Sequence, residues 1–355
     1  MTLARIEVDA CSASRVSNSQ PHGIGRVVAL QGGFAWNNLG RNVVFADEEF
    51  RPSAVFDESA FVDDEPSQYD LDVHAILDVP GAGIVVTLNH LGMLRGFATD
   101  APSQTGSLER VTPLWTRTFA PDVERTVVVG GRVVGSRPRE QGIPGLLVSE
   151  PITGSNTVGP LEVQAQAEAC GIVTALSASR NGAEQYVAIG GNGQVSLAPA
   201  SRNGIAAPRW TVDVDFDPRT IICDRLLWVA GSERSETAID DYDWDALRGG
   251  GFVALDPADG RAVVAGRFSA DPAWGNGGAA VVIVPGALCA IGRRGELAFF
   301  DLRDGSHLAT TPAIADHPMG IAHAAAAGNR LLYGFNRGGY RLHATTVPRM
   351  PRDRA

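Results

Sequence analysis

The sequence contains no lysine, so all 30 of its Lys+Arg positions are arginine. A Schiff-base lysine, a pyridoxal-phosphate anchor and a phosphate-loop lysine are therefore excluded, because each of these needs an ε-amine. The net charge is -10 and the longest run of basic residues is the pair Arg293 and Arg294. Phosphate contacts need clustered basic side chains, so we expect neither nucleic acid nor an anionic membrane surface as a partner.

Long apolar runs and closely spaced cysteines are also absent. No stretch approaches the ~18 apolar residues of a membrane-spanning helix, and residues 1–20 contain no apolar core of signal-peptide length. We therefore expect a cytoplasmic protein. No C-x-x-C pair occurs, so neither a zinc knuckle nor a disulfide framework is indicated. The four cysteines are Cys11, Cys170, Cys223 and Cys289.

The apolar residues that are present occur in short runs. These runs span four to eight residues, are rich in Val, Ile and Leu, and end at Gly, Asn and Asp turns, which is typical of β-strands. The clearest group is VHAILDV, IVVTLNH and MLRGF in residues 73–97, followed by PLWTRTF at 113–119. Groups of this kind recur about every 50 residues, which is typical of the four-stranded blades of a β-propeller.

Seven such units cover the chain. They lie at residues 23–57, 73–119, 123–167, 171–215, 219–268, 279–314 and 320–347. The last unit has only three strand-like runs, whereas LARIEV at residues 3–8 precedes the first unit without belonging to it. We expect this segment to complete the last blade, because ring closure removes exposed sheet edges. The sequence thus predicts a single all-β domain over residues 1–355, a seven-bladed β-propeller with four antiparallel strands per blade.

Two segments resemble the repeat of the YVTN and lactonase-like seven-bladed propellers. They are HAILDVPGAGIVVTLNHLGMLRGF at residues 74–97 and NRLLYGFNRGGYRLH at residues 329–343. The turns DPADG at 256–260 and DLRDG at 301–305 are similar to those of quinoprotein-like propellers. The resemblance to the lactonase-like proteins implies a seven-bladed propeller that processes a small molecule, although the His-x-His pair of those enzymes is missing here.

Candidate catalytic residues stand where the predicted inner strands begin. In a propeller these entries gather on one face around the central channel, so residues that are distant in sequence meet there. His22, His74 and His317 hold such positions, and Glu124 stands at the entry of another blade. Histidine and glutamate are suited to proton transfer. The alternative is that each side chain simply caps a strand or fills a polar turn.

Candidate substrate-binding residues surround the same ring. Two of them are arginines, whose planar guanidinium pairs bidentately with a carboxylate, and two are aromatic residues of the insertion 232–250, which we predict to form a lid. The alternative for that insertion is an acidic surface loop. The full set is Asp72, Asn89, His90, Arg125, Tyr242, Trp244, His323 and Arg337.

Two functions remain open from the sequence. The first is a lactonase-, hydrolase- or lyase-like enzyme that acts on a small-molecule ligand in the channel. The second is a non-catalytic propeller that binds a protein or peptide on its loop face. We predict no cofactor, because no H-x-x-x-H or H-E-x-x-H spacing is present. The alternative is a divalent metal held by histidines or carboxylates of the channel.

Overall fold

The structure of the protein is a computed structural model. It describes residues 3–9, 24–38, 42–58, 72–79, 82–98, 109–121, 123, 125–136, 146–152, 163–166, 173, 175–181, 184–201, 204–233, 250–268, 280–316, 319, 322–335 and 341–348. Within these ranges the regular secondary structure consists of β-strands, and no helix there is long and apolar enough to cross a membrane.

The described strands are numbered in chain order. They are β1 (Arg5–Asp9), β2 (Ile24–Leu30), β3 (Gly33–Asn38), β4 (Asn42–Asp47), β5 (Pro52–Asp57), β6 (Val73–Val79), β7 (Ile84–Asn89), β8 (Met93–Ala98), β9 (Glu109–Arg110), β10 (Trp115–Thr118), β11 (Arg125–Val129), β12 (Arg132–Ser136), β13 (Leu146–Ser149), β14 (Val163–Gln166) and β15 (Ala175–Asn181). The second half of the chain contributes β16 (Glu184–Gly191), β17 (Gln194–Ser201), β18 (Gly204–Ile205), β19 (Trp210–Asp213), β20 (Phe216–Cys223), β21 (Leu227–Glu233), β22 (Gly251–Leu255), β23 (Ala262–Arg267), β24 (Val281–Val284), β25 (Ala287–Ile291), β26 (Leu297–Asp301), β27 (His307–Thr310), β28 (Ala322–Ala327), β29 (Arg330–Phe335) and β30 (Arg341–Thr346).

These strands form seven sheets, which are the blades of a β-propeller. Blade 1 is β2-β3-β4-β5, blade 2 is β6-β7-β8-β10, blade 3 is β11-β12-β13-β14, blade 4 is β15-β16-β17-β19, blade 5 is β20-β21-β22-β23, blade 6 is β24-β25-β26-β27, and blade 7 is β28-β29-β30-β1. Two blades carry a further short strand: β9 pairs in parallel with β5 of blade 1, and β18 pairs with β17 of blade 4. The predicted all-β propeller of seven antiparallel blades is confirmed.

The first strands of the blades, here called the inner strands, form a closed ring. Each of β2, β6, β11, β15, β20, β24 and β28 contacts the inner strand of the next blade, and β28 contacts β2 again. Among the described residues, one buried apolar cluster lies at each junction between neighbouring blades. Because both faces of a blade are buried in this way, strands such as β7 are mostly apolar and are buried along their whole length.

The N-terminal strand closes the ring, as the sequence predicts. Strand β1 pairs antiparallel with β30, from Arg5 opposite Thr345 to Asp9 opposite Arg341. The Thr345 hydroxyl donates to the Ala4 carbonyl at 2.7 Å. The Arg5 side chain then reaches into blade 6, where Nη2 donates to Thr311 Oγ1 at 2.5 Å. Arg5 therefore ties the closing strand to the preceding blade as well as to its own.

A buried ion pair ties blade 1 to blade 2. Glu58, which follows β5, accepts from Arg95 Nε of β8 through both carboxylate oxygens at 2.8 Å. Asn89 Nδ2 donates to Glu58 Oε1 at 2.9 Å, and Arg95 Nη1 donates to Thr116 Oγ1 at 2.8 Å. The side chains of Arg95 and Glu58 are only 3% and 1% exposed. Burial raises the pKa of Glu58 although the Arg95 charge and the hydrogen bonds oppose this change, so the guanidinium is what makes the buried carboxylate tolerable.

Replacing Arg5 should loosen ring closure. We expect Arg5→Met to lower the free energy of unfolding by about 1–2 kcal/mol, because the charged hydrogen bonds to Thr311 and the Pro312 carbonyl are lost. Urea denaturation followed by tryptophan fluorescence measures this. Arg51→Met is the matched control, since the Arg51 side chain is 74% exposed in its pair with Asp47 and should change little. Equal effects of the two substitutions would contradict a role of Arg5 in holding the closing strand against blade 6.

Replacing Arg95 should be far more destabilising. Arg95→Met leaves the Glu58 carboxylate buried without its cation, and breaking a buried pair in this way costs about 3–5 kcal/mol. The double variant Arg95→Met/Glu58→Gln should recover part of this loss because no charge remains to be buried. The comparison is made by urea denaturation at neutral pH, and a double variant no more stable than the single one would refute the electrostatic explanation.

Candidate functional site

The inner strands surround a cavity of about 270 Å³ on the propeller axis. All seven inner strands contribute to its wall, which consists of Arg26, Val27, Ala75, Ile76, Leu77, Arg125, Thr126, Ala175, Arg219, Thr220, Ile221, Val281, His323 and Ala324, together with Ala280 just before β24. Most of these residues lie in the first half of their strands. The cavity therefore lies towards the end of the channel where the inner strands begin, which is where the candidate residues are expected.

Three arginines and one histidine hold the same position in four of the inner strands. Arg26, Arg125 and Arg219 each lie four residues before the last residue of their strand. His323 lies four residues before the last residue of β28. Because the inner strands run side by side around the axis, equal positions along them lie at a similar depth in the channel. These four residues are called the channel ring below.

Local sequence explains how the arginines reach the channel. Each is followed by two or more residues that are mostly β-branched, in Arg26-Val-Val, Arg125-Thr-Val and Arg219-Thr-Ile, and such residues favour strands. The pairing register shifts beside Arg26 in β2 and around Arg219 in β20. A β-bulge of this kind re-aims the side chains beside it, and Arg26 and Arg219 both reach the cavity wall. Arg125 reaches the wall from a strand that pairs in regular register, and Thr126 and Thr220 line the wall as well.

Arg26 lies close to a second cation. Its Nε donates to the His74 carbonyl at 2.7 Å, which fixes the guanidinium against the first strand of blade 2. Desolvation, together with repulsion from Arg125, lowers the pKa of Arg26 to about 10. Arg26 still carries its charge at neutral pH, and the repulsion shows that two like charges share this part of the channel.

The channel histidines have lost their charge. Desolvation, with further contributions from Arg26 and Arg125, lowers the pKa of His323 to about 3. The pKa of His74 is also lowered to about 3, by desolvation first and then by His90, Arg26 and Arg125, while a backbone hydrogen bond at Val123 opposes the change. The rings of His74 and His90 lie 4.6 Å apart between centroids. Both shifted imidazoles are neutral at pH 7.

The structure places the predicted residues in different surroundings. Arg125 and His323 belong to the channel ring, and His74 lies beside it in β6 with His90 against its ring. Asp72 is half-buried and directly precedes β6. Asn89 lies outside the cavity wall, in the Glu58 and Arg95 network between blades 1 and 2. The remaining candidates lie outside the described residues: His22, Glu124, Tyr242, Trp244, His317 and Arg337.

Two members of the channel ring were not singled out from the sequence. Arg26 and Arg219 are not among the predicted arginines, because nothing in the adjacent sequence distinguishes them from the other arginines of the chain. Aligning the blades by their inner strands would have found them, since GRVV, ERTVV and PRTII place an arginine at the same position in blades 1, 3 and 5.

The described residues offer few groups for a metal ion. Within those ranges there is no set of three or more His, Cys, Asp or Glu side chains that could hold one. Positive charge dominates the cavity wall instead, where the described part includes no carboxylate. The arrangement that the structure does present is a cationic cavity with neutral imidazoles at its side.

Comparisons with known proteins agree with the fold. No family model and no curated protein matches the sequence. Among solved structures, the β-propeller domain of Cps50 (Swd1) from Myceliophteria thermophila is similar, with a TM-score of 0.60 and 11% sequence identity. The alignment covers 93% of this chain and 98% of that domain, so the likeness extends over the whole propeller and concerns its architecture.

Proposed function

We propose that this protein is a non-catalytic propeller that binds a protein or peptide partner on the face where its inner strands begin. The observation that carries this proposal is the burial of His74 and His323 beside Arg26 and Arg125 in the channel, which leaves both imidazoles neutral. His74 and His323 both have a pKa of about 3, and efficient general acid–base catalysis needs a pKa near the working pH. These side chains are therefore poorly suited to move protons in this channel.

The other groups of the cavity wall support the same conclusion. Guanidinium groups remain protonated in proteins and do not act as proton carriers. Within the described part of the wall, no Asp, Glu, Tyr or Cys is present to take the role of base or nucleophile. A lactonase- or lyase-like reaction would have to rely on groups beyond that wall. These are Asp72 and His90 beside β6, and Glu124, His22 and His317, which lie outside the described residues. Binding is the function that the described site supports best.

The fold is compatible with this proposal. The chain has a WD40-like seven-bladed architecture, and propellers of that kind commonly serve as non-catalytic platforms for protein binding. Fold alone does not define function, so this argument stands second to the chemistry of the channel. The face where the inner strands begin is preferred because the cavity with its unusual charge lies at that end.

A substrate screen tests the absence of catalysis. Purified full-length protein is incubated with panels of lactones, carboxylic esters and phosphate esters, next to the variant His74→Gln/His323→Gln. We expect no turnover by the wild type above that of the variant. Turnover that is present in the wild type and lost in the variant would overturn the proposal and favour the enzyme.

Binding of a partner is tested by capture followed by calorimetric titration. Immobilised full-length protein is used to capture partners, and each captured partner is then purified and titrated against the propeller by calorimetry. We expect saturable binding that Arg125→Glu weakens at least tenfold, because this change reverses a charge at the cavity. Arg267→Glu is the control, since the Arg267 side chain is 68% exposed on β23. Equal loss with both variants, or no saturable partner at all, would contradict the proposed surface.

The neutral histidines also predict a pH dependence of stability. The unfolded chain has a histidine pKa near 6.5, whereas His74 and His323 have a pKa of about 3 in the fold. Between these values the unfolded state binds more protons, so the free energy of unfolding should fall as the pH is lowered through this window. His323→Gln should make that decline shallower, and His307→Gln, at an exposed position of β27, should not. Urea denaturation at pH 7, 6, 5 and 4 measures the slopes, and parallel curves for all three proteins would refute the shift at His323.

A further inference from the structure

The channel concentrates positive charge in an acidic protein. The net charge of the chain is -10, yet three arginines line one cavity of about 270 Å³. Arg26 and Arg125 are close enough for their repulsion to lower the pKa of Arg26. A cavity that gathers cations against their mutual repulsion is expected to stabilise an anion.

The three arginines approach the axis from separate directions. Arg26 comes from blade 1, Arg125 from blade 3 and Arg219 from blade 5. Alternate blades of a seven-membered ring are spread almost evenly, with one wider gap between blades 5 and 1. His323 of blade 7 lies in that gap. A ligand on the axis would therefore meet donors on all sides, which suits a compact ion with several equivalent oxygens better than a flat or elongated molecule.

The chemistry of the wall selects for oxygen anions. A guanidinium presents several N–H groups in a planar fork that matches the oxygens of carboxylate and phosphate. Neutral His323 can donate one further N–H, and the hydroxyls of Thr126 and Thr220 also line the cavity. The volume is somewhat below that of pockets for drug-sized ligands, which are roughly 300–1,000 Å³, and so limits the ligand to a small molecule or to a single group of a larger one.

We propose that Arg26, Arg125 and Arg219 form a binding site for a small oxyanion with two or three negative charges, either a phosphate or a di- or tricarboxylate. The guanidinium of Arg26 is held in place by its hydrogen bond to the His74 carbonyl. Arg125 and Arg219 contact the anion from blades 3 and 5. This site does not depend on the proposed partner. It would exist equally if the propeller bound only a free metabolite.

Titration with inorganic phosphate and with citrate tests the site. The full-length protein is examined by isothermal titration calorimetry and by thermal unfolding, with sodium chloride added to keep ionic strength constant. We expect saturable binding of at least one of the two anions with one site per chain. The unfolding temperature should rise with the logarithm of the anion concentration above the dissociation constant. An equal rise with chloride alone, or no saturation, would overturn the proposal.

Substitution on blade 5 provides a matched comparison. Arg219→Met removes a cavity charge, whereas Arg267→Met removes the same charge from the outer strand β23, where Arg267 pairs at 3.8 Å with an 87% exposed Asp215. Arg219→Met should weaken anion binding by about tenfold or more, because a hydrogen bond to a charged group is lost. Arg267→Met should leave it within about twofold. Should Arg219→Met fail to fold, Arg125→Met is the second variant, and the chloride comparison on the wild type still decides the question.

The source of the oxyanion is distinguished by competition. A hexaglutamate peptide is titrated into the protein with and without citrate. Displacement of citrate by the peptide at lower concentration would assign the site to acidic side chains of a partner, and failure to displace it would assign the site to free small anions. If phosphate, citrate and the peptide all fail to bind while the captured partner still does, this inference is wrong and the proposed function stands. If citrate binds but no partner is found, the site stands without the proposed function.

Discussion

Apolar packing between neighbouring blades, closed into a ring by strand β1, is the interaction on which the other features of this protein depend. Each junction between blades in the described residues has its own buried cluster, from Trp36 and Leu342 between blades 1 and 7 to Phe252 and Phe300 between blades 5 and 6. Each blade packs one of its two faces against each neighbouring blade. A missing junction would expose two apolar faces and an unpaired edge, so the pairing of β1 with β30 completes all the others.

This closure brings residues from distant parts of the chain to one depth of the channel. Arg26 and His323 are separated by most of the sequence, yet β2 and β28 are neighbours in the ring. The same closure accounts for the electrostatics, because the inner strands desolvate Arg26 and His323 and bring Arg125 close to both. The desolvation of Arg26 and its repulsion from Arg125 oppose folding, and the apolar junctions supply free energy that offsets this cost.

The fold could be predicted from the sequence because it is recorded in local patterns. Short apolar runs ending at turns define the strands, and the incomplete last unit beside the LARIEV segment predicts the closing strand correctly. Which residues of the inner strands line the cavity is harder to predict from the sequence. The register of β20 shifts between Pro218 and Thr220, and such a shift is a property of strand pairing and not of residue type. Arg125 and His323 are predicted from the sequence as substrate-binding residues, whereas Arg26 and Arg219 become evident once the inner strands are aligned around the axis.

The behaviour of the titratable groups could not be predicted from residue types either. A histidine at a strand entry suggests proton transfer near neutral pH, but the pKa of His323 is determined by desolvation and by the charges on Arg26 and Arg125, which come from other blades. The absence of lysine matters here because every basic residue of the channel is an arginine. A buried lysine beside another cation would readily lose its proton, whereas a guanidinium with its pKa lowered to about 10 remains charged at neutral pH. Where permanent cations and histidines share one poorly hydrated cavity, the histidines are the groups that become neutral. Arg26 therefore remains charged across the physiological pH range while His74 and His323 remain neutral, and this difference is the basis on which we propose binding in preference to proton transfer.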